Sequence, residues 1–255
     1  MIHLVTDPAD PRLAPYRELR DRHLRRSNGL FVAESELVVR RLLGSALRVH
    51  SVFATMSRAE ILAPLRPDVD VFAADPALMK QIVGFPFHRG VLALGERPTG
   101  VTLPAKLTRV LVIEDITDVD NLGSLVRTGA AFGVEAVLLS PRCADPYYRK
   151  ALRTAVGCTF DVPIVRATSW PGALNQLRAQ YGCRLIAAML DPEAIPLGRY
   201  TRREPFALCV GSEGPGLTPA ARAACDDAVT IPMAKGADSL NVGIAAAVIL
   251  HHLVS

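Results

Sequence analysis

Four short apolar runs dominate the second half of the chain: RVLVIEDI from Arg109, VEAVLL from Val134, GCRLIAAML from Gly182 and FALCVG from Phe206. Each has the length of a strand and too few polar residues for a solvated face, so each reads as a buried strand. Helical patterns stand between and after them. Leu122–Phe132 is one helix, and DPYYRKALRTAVG, ending at Gly157, is another. TPAARAAC is a short helix capped by Thr218 with Pro219 in its first turn, and SLNVGIAAAVILHHLV closes the chain as a helix that is apolar nearly all round. Strands alternating with helices define an α/β fold with a parallel sheet. A helix apolar on every side is buried on most of them, and this last element is expected to pack on a second subunit.

The first half repeats the alternation on a smaller scale. A basic helix is predicted over Pro11–Arg26, then a strand (GLFVAE), a helix ending at Gly44 (SELVVRRLLG), and strands in LRVHSVFAT and DVDVFAA with Ser57–Leu65 helical between them. DPALMKQIVG is a helix capped by Asp75 and stopped at Gly84, and HRGVLALGE is a final strand. The Pro-, Gly- and Thr-rich stretch Gly95–Lys106 separates the halves. The division expected is a first domain over 1–97, a linker over 98–105 and a second domain over 106–255.

Composition narrows the function classes. Half of the 255 residues are hydrophobic and 21% are charged, which excludes a disordered chain. No run reaches the roughly 18–20 apolar residues of a membrane span, and MIHLVTDPADPR lacks the pattern of a signal peptide, so a cytoplasmic location without membrane contact is expected. Cys143, Cys158, Cys183, Cys209 and Cys225 are widely spaced and show no zinc pattern, so reduced, mostly buried thiols are expected and no metal. The net charge of +4 fits an anionic partner without requiring one. Arg12, Arg17, Arg20, Arg22, Arg25 and Arg26 crowd one segment against only Glu18 and Asp21. They form either a solvated helix face or a phosphate-contacting surface.

Three stretches in the second half carry polar residues that a core does not need. In NLGSLVRTGAAFG, Asn121 opens a helix and Arg127 lies among small and apolar residues. Asn121 is either a cap or a ligand. Arg127 either snorkels, pairs with Asp115, Asp118 or Asp120, or faces a substrate. In LCVGSEGPGL, a strand enters a loop with Gly211, Gly214 and Gly216 and the acid Glu213. The spacing G-x-x-G-x-G is neither a Walker A motif nor a dinucleotide fingerprint. In IPMAKGADSLNVGIAAA, Ile231-Pro232-Met233 is a rigid apolar bend, Asp238-Ser239 caps the last helix, and Asn241 is an amide in an otherwise apolar first turn.

Taken together and in this order, NLGSLVRTGAAFG, LCVGSEGPGL and IPMAKGADSLNVGIAAAVIL resemble the motifs of the SpoU (TrmH-type) RNA ribose methyltransferases of the SPOUT superfamily, over about Leu111–Val254. The resemblance implies a parallel α/β sheet whose C-terminal segment threads a loop as a deep trefoil knot, S-adenosylmethionine as methyl donor, and a homodimer with sites completed across the interface. By motif position it assigns Gly211, Ile231 and Leu240 to the cofactor, with Gly214, Met233 and Val242 nearby. It makes Arg127 the central catalytic group and Asn121, Glu213, Ser239 and Asn241 the polar set around it.

LRDRHLRRSNGLFVAESELVVRRLL is similar to the small ribosomal-protein-like α/β domain that precedes the catalytic domain in several rRNA-directed members. Where those members carry the glycine of a Val-Glu-Gly run, this chain has Ala33-Glu34-Ser35. The similarity assigns Arg20, Arg22, Arg25 and Arg26 to RNA and favours ribosomal RNA, 23S above all, over tRNA. The implied reaction is displacement at a sulfonium methyl by a ribose 2′-oxygen, which needs no metal. A guanidinium of pKa above about 12 is a poor base, so Arg127 is expected to grip phosphate and stabilise developing alkoxide. Three rivals remain: a tRNA ribose methyltransferase, a non-catalytic RNA-binding protein of the same fold, and a nicotinamide-dependent dehydrogenase, which would lack its fingerprint here.

Overall fold

The computed structural model describes residues 1–17, 19, 29–84, 90–234 and 239–255. They form two compact units, Met1–Thr99 with Tyr147–Asp161, and Gly100–Pro146 with Val162–Ser255.

In the first unit, strands β1 (Ile2–Leu4), β2 (Leu30–Glu34), β3 (Val49–Ala54), β4 (Val71–Ala73) and β5 (Val91–Glu96) make one sheet in the order β1-β4-β3-β5-β2. β1, β4 and β3 are parallel, and β5 runs antiparallel to both β3 and β2. Side chains alternate across a pleat, and here both faces are buried except at the edge strand β1, where Ile2 and Leu4 are exposed. Phe31, Ala33, Val52, Ala54, Val71, Ala73, Val91 and Ala93 join a core with Val38, Val39, Leu42 and Leu43 of the Glu36–Gly44 helix. Leu30, Val32, Phe53, Phe72, Leu92 and Leu94 join a second core with Leu13, Tyr16 and the Pro76–Val83 helix. The unit is therefore three-layered. Of the basic helix expected over Pro11–Arg26, the described part is a 3₁₀ turn at Pro11–Leu13 and one helical turn at Ala14–Arg17. Arg20, Arg22, Arg25 and Arg26 lie outside the described residues.

The expected unbroken second half is interrupted, because Tyr147–Asp161 packs into the first unit. The physical reason is aromatic. Phe31 stacks on Phe160 at 5.6 Å between centroids and meets Tyr147 at 5.2 Å. Leu152, from the Arg149–Thr154 helix, completes the first core. Gly95 makes room for that ring, since a Cβ there would lie 2.3 Å from the Phe31 ring.

The second unit is a seven-stranded sheet among the described residues, every pairing parallel. Its strands are β6 (Arg109–Ile113), β7 (Ala136–Leu139), β8 (Ile164–Arg166), β9 (Arg184–Ala188), β10 (Ile195–Pro196), β11 (Phe206–Val210) and β12 (Asp227–Thr230), in the order β10-β12-β9-β11-β6-β7-β8. Val110, Val112, Ala207, Cys209, Leu185 and Ala187 face a core with the Gly172–Tyr181 and Pro219–Ala224 helices. The Val242–Val254 helix lies against the Val119–Ala131 helix, β9 and β11. The chain runs from β6 outward to β7 and β8, then returns to build the other half of the sheet. β11 and β6 thus flank the point where strand order reverses, and the crevice opens beside it, beyond the ends of β9, β11 and β12. Strands β1, β8, β10 and β12 and the Gly172–Tyr181 helix were not anticipated from sequence; each strand is two to four residues long.

Ser35 records a local conflict. It links β2 to the Glu36–Gly44 helix at φ 88°, ψ 150°, it is buried, and its side chain makes no capping bond. A backbone of this kind is nearly exclusive to glycine and costs a residue with a Cβ about 1–3 kcal/mol. Ser35→Gly should therefore raise the stability of the protein by about 1 kcal/mol or more, read from the urea midpoint. An unchanged or lower midpoint contradicts the strain.

Candidate active site

The crevice at the C-terminal end of the sheet is walled by a glycine loop. Leaving β11, the chain folds back on itself: Ser212 and Gly216 form an isolated antiparallel bridge, and Gly216 N–H donates to Ser212 O at 2.9 Å. Gly214 and Gly216 have φ of 83° and 70°. Gly211 is required by proximity, because a Cβ on it would lie 2.1 Å from the Gly216 carbonyl carbon and 2.3 Å from Leu217 N. Thr218 then caps the Pro219–Ala224 helix, its hydroxyl accepting from Ala221 N–H.

Asp118, not Asn121, caps the Val119–Ala131 helix, accepting from Asp120 N–H at 3.0 Å and Asn121 N–H at 2.9 Å. That frees the Asn121 side chain. At the other helix the expected cap is also displaced. Asp238 lies outside the described residues, and Asn241 is itself the N-cap, its Oδ1 accepting from Gly243 N–H at 2.9 Å. Gly243 lets the two helices approach here, since a Cβ on it would lie 2.5 Å from Ser124 Oγ and 3.2 Å from Ser124 Cβ.

This close approach joins three segments in a directed chain of hydrogen bonds. A backbone N–H can only donate, so Gly243 fixes which end of the Asn241 amide is oxygen. Asn241 Nδ2 then donates to Asn121 Oδ1 at 2.8 Å and to Glu213 Oε1 at 3.3 Å. Asn121, its oxygen thus engaged, donates through Nδ2 to Glu213 Oε1 at 2.9 Å. Both amides converge on one carboxylate oxygen, and among the described residues Glu213 Oε2 has no hydrogen-bond partner.

Beside this cluster opens a cavity of about 480 Å³, within the range of small-molecule sites. Gly211, Gly214, Ile231, Met233, Leu240 and Val242, the six residues named for the cofactor, all line it. Glu213, Ser239 and Asn241 line it as well. Sequence reasoning missed Met189 and Leu190, which follow β9, and Ala245 and Ile249 of the last helix. The rule that ligands sit beyond strand ends, applied to GCRLIAAML, points to the first two.

Arg127 stands apart. It follows Asn121 by six residues, about 240° further round the helix, so the two do not share a face. It is exposed and does not line the cavity. Neither Asp115 nor Asp118 is its partner. Asp115 accepts from Ser140 and from Arg142, whose guanidinium lowers its pKa, and Asp118 is spent on the cap. One chain therefore gathers Asn121, Glu213, Ser239 and Asn241 and leaves Arg127 outside them. In the N-terminal arginine cluster, the described Arg12 is tied to Asp10, and Arg17 donates to Pro8 O and Asp10 O.

Comparison with known proteins agrees with this architecture. The model of the SpoU rRNA Methylase family matches residues 108–251, and the chain belongs to that family. A protein of Mycobacterium tuberculosis named as an uncharacterized tRNA/rRNA methyltransferase is 41% identical over 261 residues, covering 95% of this chain and 88% of its own length. The 23S rRNA (guanosine(2553)-2′-O)-methyltransferase RlmP of Bacillus subtilis is 28% identical, covering 98% of both chains. An AdoMet-bound rRNA methyltransferase from Sinorhizobium meliloti shares the fold with a TM-score of 0.83 at 22% identity, over 99% of this chain and 97% of that one.

The loop geometry generates a test. Gly211→Ala forces Gly216 and Leu217 to move and should cost about 1–3 kcal/mol of stability, as overpacking does. Thermal unfolding measures the cost, and an unchanged midpoint contradicts the contact.

Proposed function

We propose that the protein transfers a methyl group from S-adenosylmethionine to a ribose 2′-hydroxyl of RNA, with 23S ribosomal RNA as the substrate, in the cytoplasm and as a homodimer. The observation that carries the reading is the pairing of an apolar, glycine-walled cavity with a carboxylate at its rim whose second oxygen has no partner among the described residues. The cavity suits an adenine and a thioether chain, and its walls offer backbone groups that a glycine loop leaves accessible. A C-terminal trefoil knot and a ribosomal-protein-like, RNA-binding first domain carrying Arg20, Arg22, Arg25 and Arg26 belong to the same proposal.

When bound, S-adenosylmethionine would supply an activated methyl on a sulfonium: the ribose 2′-oxygen bonds to that carbon as the S–CH₃ bond breaks, S-adenosylhomocysteine leaves, and the 2′-hydroxyl proton is released to water. The chain's residues do the rest. Gly211, Ile231 and Leu240, with Gly214, Met233 and Val242, hold the donor. Glu213 Oε2 accepts a hydrogen bond from the bound pair, in an orientation fixed by Asn121 and Asn241, and Ser239 adds a hydroxyl at the same rim. Arg127 grips the phosphate beside the target ribose and stabilises charge developing on its oxygen. Because Arg127 and the polar cluster do not meet within one chain, Arg127 of one subunit serves the cluster of the other. The apolar ridge Leu240, Ile244 (55% exposed) and Val248 (40% exposed) supplies the contact that pairs them.

Arg127→Ala and Arg127→Lys should each lower turnover about 10²–10³-fold while leaving S-adenosylmethionine affinity within about threefold. Mixing subunits tests the sharing. Arg127→Ala and Glu213→Ala proteins, each inactive alone, should regain about one quarter of the unaltered rate after exchange, because each mixed dimer holds one intact site. No recovery in a mixture that demonstrably exchanges subunits contradicts a shared site. Near-full rate in Arg127→Ala contradicts the role given to that residue.

A further inference from the structure

Among the described residues near the crevice, Glu114 is the most completely enclosed acid, 1% exposed, and the proposed chemistry does not use it. It follows the last residue of β6, and its own N–H donates to Val210 O on the neighbouring β11. Its carboxylate accepts three hydrogen bonds, all from loops at the same end of the sheet. Trp170 Nε1–H, from the loop after β8, donates to Oε1 at 2.5 Å. Thr218 hydroxyl donates to Oε1 at 2.7 Å, and Thr218 N–H donates to Oε2 at 2.8 Å. The Thr218 hydroxyl accepts from Ala221 N–H as a helix cap, so its proton is left for Glu114.

Thr218 is where the glycine loop ends. The loop's start is fixed by β11 at Val210 and Gly211, and its end is fixed by Thr218 on Glu114. Between the two lie Glu213 and the cavity wall Gly214–Leu217. On the other side of Glu114 the chain turns through Asp115, at φ 53°, held by Ser140 and Arg142. It then proceeds to the Asp118 cap and Asn121. Glu114 therefore stands at the junction of the two segments whose side chains meet in the Asn121–Glu213 hydrogen bond.

We infer that Glu114 is a positioning residue of the cofactor site, holding the exit of the glycine loop through Thr218 so that the cavity wall and Glu213 stay in register with Asn121. This rests on the reading of the cavity as the S-adenosylmethionine site. The chemistry demands a carboxylate. Trp170 N–H and Thr218 N–H can only donate, and they face different oxygens. A glutamine offers one acceptor and one donor, so in either orientation its NH₂ confronts an N–H. Removing the Trp170 donor relieves the conflict, because the amide oxygen can then accept from Thr218 N–H while its NH₂ points to the vacated side.

The experiment compares unaltered protein, Glu114→Gln, Trp170→Phe and the double variant. S-adenosylmethionine affinity is read by calorimetry, and RNA affinity by filter binding. Glu114→Gln should lose about tenfold or more in S-adenosylmethionine affinity, the effect of one unsatisfied buried donor, with RNA affinity within about twofold. Trp170→Phe alone should stay within about threefold, and adding it to Glu114→Gln should restore affinity to within about fivefold of the unaltered protein. Glu114→Gln binding the donor as tightly as unaltered protein overturns the inference, as does a double variant no better than the single one. Should Glu114→Gln fail to fold, the double variant decides alone: affinity within about fivefold supports the inference and a greater loss overturns it. Unaltered protein that binds no S-adenosylmethionine overturns the reading of the cavity, and the inference with it.

Discussion

The second unit's site depends on one backbone N–H. Gly243, held against Ser124 by the absence of a side chain, donates to Asn241 and fixes the orientation of that amide. Every later assignment follows: Asn241 donates a hydrogen bond to Asn121, Asn121 donates one to Glu213, and among the described residues one oxygen of Glu213 has no partner. The residues involved are more than ninety positions apart in the case of Asn121 and Glu213, separated by 92. Such a chain works only if the Val119–Ala131 and Val242–Val254 helices are packed closely, so helix packing and site chemistry are one constraint.

The sheet explains why these segments meet. In an all-parallel sheet covered on both faces, the loops that follow the strands emerge at one end. β6 and β11 are neighbours although ladder partners such as Arg109 and Phe206 are 97 positions apart, and the segments that follow them carry Glu114, Asn121 and Glu213. The first unit obeys the same physics with a mixed sheet. Its strands divide their side chains between two cores, and both cores are needed to bury a five-stranded sheet.

Much of this was legible in the sequence because buried strands and glycine turns leave strong local marks. The central strands of the second unit were visible as apolar runs, and Gly211, Ile231 and Leu240 were placed by motif in stretches that do line one cavity. Caps were less legible: DVDN offers two aspartates and an asparagine, and only geometry shows that Asp118 caps while Asn121 is free. Glu114 was hidden in VIEDITD, where an acid at a strand end looks solvated. Strands of three or four residues such as β8 and β12 are too short to show a period. The allegiance of Tyr147–Asp161 is carried by Phe31, a contact more than a hundred residues away that no local pattern reports. One anomaly did leave a trace, since the resemblance of the first half implies a glycine where this chain has Ser35, and the Ser35 backbone has a φ of 88°.

The most direct measurement is of the product itself. Ribosomal RNA and tRNA from a strain lacking this gene are incubated with the protein and methyl-labelled S-adenosylmethionine, then digested to nucleosides. The account predicts label in a 2′-O-methylated nucleoside from 23S ribosomal RNA. Label on a base, or no transfer to either RNA by protein that binds the donor, contradicts it.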